Sequence, residues 1–341
     1  MKAAVYYNNS DVRVEEVPTP SAGAGELLVR IEASGICGSD VMEWYRIKKA
    51  PLVLGHEVAG TVEEVGEGVD RFKKGDRVTV AHHVPCNTCH WCQAGHHSVC
   101  ETLRTTNFDP GGFAEYVRVP AINVERGTFR LPEKMSFTEG SFTEPLGCVI
   151  RGFRVADFQP GRRVLVVGSG LAGLLHVKLA KALGAEFIAA TDISDYRLEA
   201  AKKFGADLTL RADREDVPVR IEDELGGLPD LVAVCSAEDA AITQAMKSVT
   251  RGGTILVFAA RKPGETFPLP MFELWRDNVT IVNTYASCPE DTLEAIGLIG
   301  SGKVEVEDLV THRFPLSGTG EGFGLAQRAG ESLKVIIEPH A

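Results

Sequence analysis

The chain has 341 residues, enough for two ordinary domains, and its 44% apolar and 24% charged residues are the make-up of a globular protein. A formal net charge of −11, with no basic run, excludes a surface built to neutralise nucleic-acid phosphates or anionic lipid. No stretch approaches the roughly 20 apolar residues that span a bilayer, and Met1 to Tyr7 lack the apolar run of a signal peptide, so a cytoplasmic protein is expected.

Up to about residue 147 the pattern is one of short Val-rich runs cut by Gly, Pro and Asp, namely 26–33, 57–65, 77–81 and 114–119. Such runs predict an antiparallel, barrel-like β domain. The texture changes near Gly147. An apolar run at 163–167 is followed by a helical period over 171–183 that stops at Gly184. A second apolar run (187–191) and a helix over 195–204 follow, and then strand patterns at 231–235, 254–259 and 279–282, with a helix near 240–249. Strands alternating with helices predict a doubly wound parallel sheet. The last fifty-odd residues break the alternation and are expected to return to the first domain. The boundaries expected are 1–147, 148–286 and 287–341.

Three groups of residues carry chemistry. Four of the eight cysteines, Cys86, Cys89, Cys92 and Cys100, fall in one loop of about 85–101. Four thiolates at short spacing match the closed tetrahedral shell of a structural zinc. An iron–sulfur cluster is the rival, but the last cysteine follows after seven residues rather than three, and no proline follows it. His90, His96 and His97 share the loop and read as surface residues beside four thiols.

The second group is Gly168-Ser169-Gly170-Leu171-Ala172-Gly173, directly after a strand and opening a helix, with Asp192 nineteen residues beyond Gly173 at the end of the next strand. The glycines permit a tight turn and close approach of backbone to a pyrophosphate, and the helix N-terminus offers N–H groups to it. Asp192 would accept from the ribose hydroxyls and repel a 2′-phosphate, which predicts NAD. Arg197, five residues on, is a second cofactor contact and the residue that would instead favour NADP. The plain alternative is a glycine-rich turn with a solvated aspartate.

The third group is dispersed: Cys37-Gly38-Ser39-Asp40, Gly55-His56-Glu57 and Glu144-Pro145. A Cys, a His and a carboxylate from separate segments suit an open catalytic zinc. Taken singly, Cys37 equally suits a core thiol and Glu57 a solvated charge.

Taken together, Gly-Ile-Cys-Gly-Ser-Asp at 35–40, Gly-His-Glu at 55–57, the four-cysteine lobe and the downstream glycine fingerprint resemble the zinc-containing medium-chain dehydrogenase/reductase family over essentially the whole chain. Gly111-Gly112-Phe113-Ala114-Glu115-Tyr116 adds to the likeness. The resemblance implies an α/β protein with a GroES-like catalytic domain and a Rossmann domain, two zinc ions, NAD, a small alcohol or ketone substrate and a homodimer or homotetramer. It makes Cys37 and His56 ligands of the reactive zinc, Glu57 the acid that ligates it directly or alternates with water, and Glu144 an extra carboxylate near it, as in sorbitol and threonine dehydrogenases. Ser39 becomes the hydroxyl that takes the substrate proton, and Asp40 the group that orients His56. Met42 stands where many members carry a relay histidine, so water is expected to take the proton onward. A zinc-free reductase or a non-catalytic protein on this scaffold would lack a complete ligand set.

Enzymes for simple apolar alcohols usually carry a third thiolate where this chain has Glu144-Pro145, although Cys148 is an alternative candidate. A harder, more hydrated zinc suits a polyol, cyclitol or amino alcohol over a simple alcohol or aldehyde. Tyr45 and Arg46 are candidate polar contacts for such a substrate or ordinary surface residues.

Overall fold

In the computed structural model, which describes residues 1–341, the Val-rich runs of the first part of the chain become β1 (Lys2–Asn8), β2 (Asp11–Glu16), β3 (Leu27–Gly35), β4 (Leu52–Val53), β5 (Glu57–Val65), β6 (Arg77–Ala81), β7 (Tyr116–Val119) and β8 (Thr128–Arg130). The middle of the chain supplies β9 (Arg163–Val167), β10 (Phe187–Asp192), β11 (Leu208–Arg211), β12 (Leu231–Val234), β13 (Thr254–Val257) and β14 (Thr280–Asn283), and the end supplies β15 (Val310–Pro315) and β16 (Lys334–Glu338).

Met1–Gly147 and Ala286–Ala341 build one unit. Its main sheet runs β15-β16-β3-β5-β6-β8, with β7 also pairing with β3, and a three-stranded sheet runs β2-β1-β4. Alternation along β3 and β5 sends Leu27, Val29, Ile31, Val58 and Val62 into a core closed by Val78, Val80, Phe108, Val117 and Val119. All pairings in the main sheet are antiparallel except β15 with β16, which is parallel. Two registers matter for function. Gly35 of β3 pairs with Glu57 of β5 on one side and with Ile336 of β16 on the other. The last strand of the chain therefore lies beside the segments that carry Cys37 and His56.

Cys148–Tyr285 forms the second unit. Its six strands are all parallel, in the order β11-β10-β9-β12-β13-β14, which is the doubly wound nucleotide-binding order. Strand runs buried on both faces, such as Leu231–Val234, have no polar alternation because helices cover both sides. Leu208–Arg211 and the helix Val217–Leu225 leave no clear trace in the sequence pattern. The strand has four half-polar residues, and Pro218 in the helix's first turn reads as a breaker although that is where a helix tolerates proline. The exact parallel pairing of β11 with β10 supplies what local pattern did not.

Candidate active site and metal centres

The reactive group is assembled where β3 ends and β5 begins. Cys37 Sγ, one ring nitrogen of His56 and a carboxylate oxygen of Glu57 lie within 4.8 Å of one another. Asp40 is fully buried behind them: its Oδ2 accepts from the Cys37 N–H at 3.0 Å, and its Oδ1 stands 3.3 Å from His56 Nδ1. With Nδ1 turned to Asp40, Nε2 is the nitrogen left for a cation. Burial pulls the His56 imidazole down, but the Asp40 carboxylate and the Cys37 sulfur outweigh burial and hold it well above its ordinary value. The pocket is thus built for positive charge.

Glu57 is fully buried and ion-paired through Oε2 with Lys334 Nζ, which also donates to the Ile36 carbonyl at 3.1 Å. Its other oxygen, Oε1, is buried without a hydrogen-bond partner. A buried carboxylate with one unpartnered oxygen, grouped with a thiol and an imidazole, suits a divalent cation. The donor set fits zinc. Glycine at position 35 follows from the same pair, because a Cβ there would overlap Glu57 Oε2 and stand 2.6 Å from Lys334 Nζ.

Ser39 is held by Arg46, whose Nε donates to the Ser39 carbonyl and Nη2 to the Ser39 Oγ, each at 3.0 Å. Nη2 also lies 3.5 Å from Asp40 Oδ1. Arg46 is therefore committed to Ser39 and Asp40, whereas Tyr45 is exposed and stacked under the Arg46 guanidinium at 4.6 Å. Glu144 and Cys148 occupy the helix Thr143–Val155, one turn apart and half-buried, and neither belongs to the close group of three.

Cys86, Cys89, Cys92 and Cys100 form a second close group. Their sulfurs stand 3.5 Å (Cys89 to Cys92) and 4.0 Å (Cys86 to Cys92) apart. The edge of a tetrahedron with zinc–sulfur bonds of about 2.3 Å is about 3.8 Å. Backbone N–H groups already point at two of the sulfurs, Cys89 N to Cys86 and Cys86 N to Cys100, each at 3.3 Å. Hydrogen bonds from Thr88 and Cys89 lower the Cys86 thiol to about 5, while burial raises Cys92 to about 12. His90 and His96 are exposed, as read from sequence, but His97 is half-buried and its Nδ1 is shielded from solvent.

In the second unit, Gly168 has φ of +92°, and a Cβ on Gly173 would overlap the Gly168 carbonyl oxygen. The helix Leu171–Ala182 starts at Gly170 with no side-chain cap, and a Cβ on Gly170 would have nothing closer than Arg197 Nη1 at 3.9 Å. Leu171 and Ala172 open that helix, so an uncapped N-terminus faces room for phosphate. Asp192 accepts from the N–H groups of Ser169 (2.8 Å) and Ser194 (2.9 Å), with Arg197 Nη1 at 3.8 Å. A carboxylate offers about four lone-pair sites, so these contacts orient Asp192 and leave acceptor capacity for a ribose.

The comparisons with known proteins agree with this geometry. The alcohol dehydrogenase GroES-like domain matches residues 23–133, and the zinc-binding dehydrogenase domain matches residues 172–301. Sorbitol dehydrogenase of Gallus gallus is 36% identical over 98% of this chain and 96% of its own. The chain belongs to the zinc-containing medium-chain dehydrogenase family. L-threonine 3-dehydrogenase of Bacillus velezensis is also 36% identical, over 99% of each chain. A zinc-binding dehydrogenase structure from Sinorhizobium meliloti 1021, solved with NADP, covers 99% of each chain with a TM-score of 0.89 and 28% identity. As a member of this family, the protein is a zinc-dependent oxidoreductase of the alcohol and polyol class. No helix is long and apolar enough to cross a membrane.

Two residues of the site escaped the sequence. Lys334 left one signal, a lysine inside Leu333-Lys334-Val335-Ile336-Ile337, where a buried cation needs an anionic partner. Arg46 was legible as a polar residue near the site, but not as the partner of Ser39.

Proposed function

We propose that this protein oxidises a secondary alcohol flanked by a second polar group, of the polyol, cyclitol or amino-alcohol type, with NAD, and reduces the corresponding ketone in reverse. The observation that carries the reading is the Cys37–His56–Glu57 group with Asp40 buried behind it. In it, residues 1–147 and 287–341 carry the chemistry and 148–286 hold the cofactor. Cys37, His56 and Glu57 would hold a catalytic zinc, with Glu144 as a further carboxylate, and Cys86, Cys89, Cys92 and Cys100 would hold a structural one. When bound, zinc supplies Lewis acidity toward the alcohol oxygen, and NAD accepts hydride.

The chain's own residues do the rest. Asp40 fixes the His56 ring, and Lys334 engages one oxygen of Glu57 and leaves the other unpartnered. Ser39 Oγ accepts from Arg46 and has a second lone pair for the substrate hydroxyl, whose proton it takes only as it gives up its own O–H proton. Arg46, a permanent cation, disfavours a charged hydroxyl at Ser39, and Met42 cannot take the released proton, so it passes to water. Gly168, Gly170, Gly173, Leu171 and Ala172 would hold the pyrophosphate, and Asp192 would accept from the ribose. Asp192 supports NAD, although the Sinorhizobium relative carries NADP.

The likeness to sorbitol and threonine dehydrogenases supports the substrate class. The test is a panel of sorbitol, xylitol, inositols, threonine and 2,3-butanediol against ethanol and 1-hexanol, run with both cofactors. The highest kcat/KM is expected among the polar substrates, with NAD favoured by at least about tenfold, roughly 1.4 kcal/mol. Highest turnover of the simple alcohols would assign the enzyme to that class instead.

The same reading includes a homodimer or homotetramer. Met271, Phe272 and Trp275 are 64%, 60% and 76% exposed on the helix Met271–Arg276, which leads into the edge strand β14, and a second copy of this face is the occupant that fits. None of the eight cysteines is in a disulfide, and four of them face one another as candidate metal ligands, which supports a reducing, cytoplasmic location.

A further inference from the structure

We propose that His97, Cys288 and Glu290 form a third cation site, for a zinc-class divalent ion, that fastens the four-cysteine lobe to the helix Pro289–Gly300. One nitrogen, one sulfur and one carboxylate oxygen of these residues lie within 4.8 Å of one another. They come from two distant segments of the same unit: His97 from the lobe, and the other two from the start of the helix. Ala286, just upstream, already packs against the lobe cysteines.

The polar bookkeeping around Cys288 points to a cation. Cys288 is 2% exposed, and its Sγ lies 2.9 Å from Glu290 Oε2 and 3.0 Å from Asp291 Oδ2. Asp291 Oδ2 also accepts the Cys288 N–H at 2.8 Å, so the feature that suits a cation is the close approach of one buried sulfur to two carboxylate oxygens. On the other side, His97 Nδ1 is shielded from solvent and has no hydrogen-bond partner. A cation in place of the thiol proton satisfies sulfur, carboxylate and imidazole together, and releases that proton to solvent. The tetrahedral edges around zinc with sulfur, nitrogen and oxygen ligands are about 3.3–3.8 Å, so ligands within 4.8 Å need only small rotamer adjustments.

The donor types choose the metal. Thiolate and imidazole select zinc or cobalt over magnesium or calcium. Glu290 is exposed, so the shell is open to water on that side. The positive end of the helix dipole opposes a cation here, which makes this site weaker than the four-thiolate one and fills it last. It repeats the Cys/His/Glu donor set of the reactive group in a place with no Ser39 or nucleotide motif beside it, and its role is a staple.

The experiment is equilibrium dialysis of the zinc-loaded full-length protein against Zn2+, with Co2+ as a spectroscopic probe and thermal unfolding in parallel. The unaltered protein should take up one equivalent beyond its resident zinc, show added thiolate-to-cobalt absorption, and gain Tm as the ion is added. Cys288→Ser, which keeps a good N-cap residue, should lose the extra equivalent and the Tm gain while retaining the resident zinc. Glu290→Gln, on the surface, and His97→Gln should each weaken the extra binding by at least about tenfold. No extra equivalent in the unaltered protein, or undiminished extra binding in the three variants, overturns the proposal.

Discussion

Lys334 and Glu57 are both fully buried, and each is the other's charge partner. Removing one leaves an uncompensated charge in the core, which costs about 3–5 kcal/mol. Lys334→Met is therefore expected to lower the urea midpoint sharply, and Glu57→Gln combined with Lys334→Met should recover much of the loss. Equal destabilisation by the single and double variants would show that the pair itself is not the source. A second residue sets an acid limit. His176 is fully buried, and burial, against a raising contact from the Ala172 carbonyl at 2.7 Å, lowers its imidazole to about 4. The folded chain keeps the ring neutral, whereas the unfolded chain binds a proton below its ordinary value of about 6.5. The stability this ring contributes is complete above pH 6.5 and is lost as pH falls toward 4, by about 3 kcal/mol in all. His176→Leu should flatten the Tm profile across that window, as followed by circular dichroism.

At the scale of elements, the turn from β9 into the helix Leu171–Ala182 has no slack. Gly173→Ala would drive a methyl into the Gly168 carbonyl oxygen, and backbone cannot step aside as a side chain does. We expect NAD binding to weaken by at least about tenfold, measured by quenching of NADH fluorescence, while zinc content stays unchanged. The cysteine lobe gives the complementary result. Cys100→Ser should remove one zinc equivalent and lower Tm, and Cys37→Ser should remove the other and abolish turnover with the fold intact, as elemental analysis and calorimetry will show. These elements were legible in sequence because their parts are neighbours along the chain: four cysteines in one loop, three glycines in one turn. The grouping of Cys37, His56 and Glu57 was legible only through resemblance, since nothing local says that Gly35 pairs with Glu57. Lys334 was out of reach altogether, because its role is fixed by the pairing of β16 with β3 and not by any feature of its own strand.

At the scale of the whole molecule, the exposed Met271, Phe272 and Trp275 face predicts association. Trp275→Glu should shift sedimentation toward the monomer, and an unchanged assembly would place the contact elsewhere. A different consequence follows from the place of Lys334 in the chain. Its partner Glu57 lies 277 residues upstream. A ribosome adding about 5–20 residues per second needs roughly 15–55 s to cover that interval. Throughout that time the nascent N-terminal sheet lacks the strand and the cation that finish it, and residues 148–285 are all made before Lys334. A sheet whose first strands are made early is thus closed by a strand made near the other end of the sequence. A nascent chain that stalls or is clipped before Lys334 carries the Glu57 carboxylate without its cation.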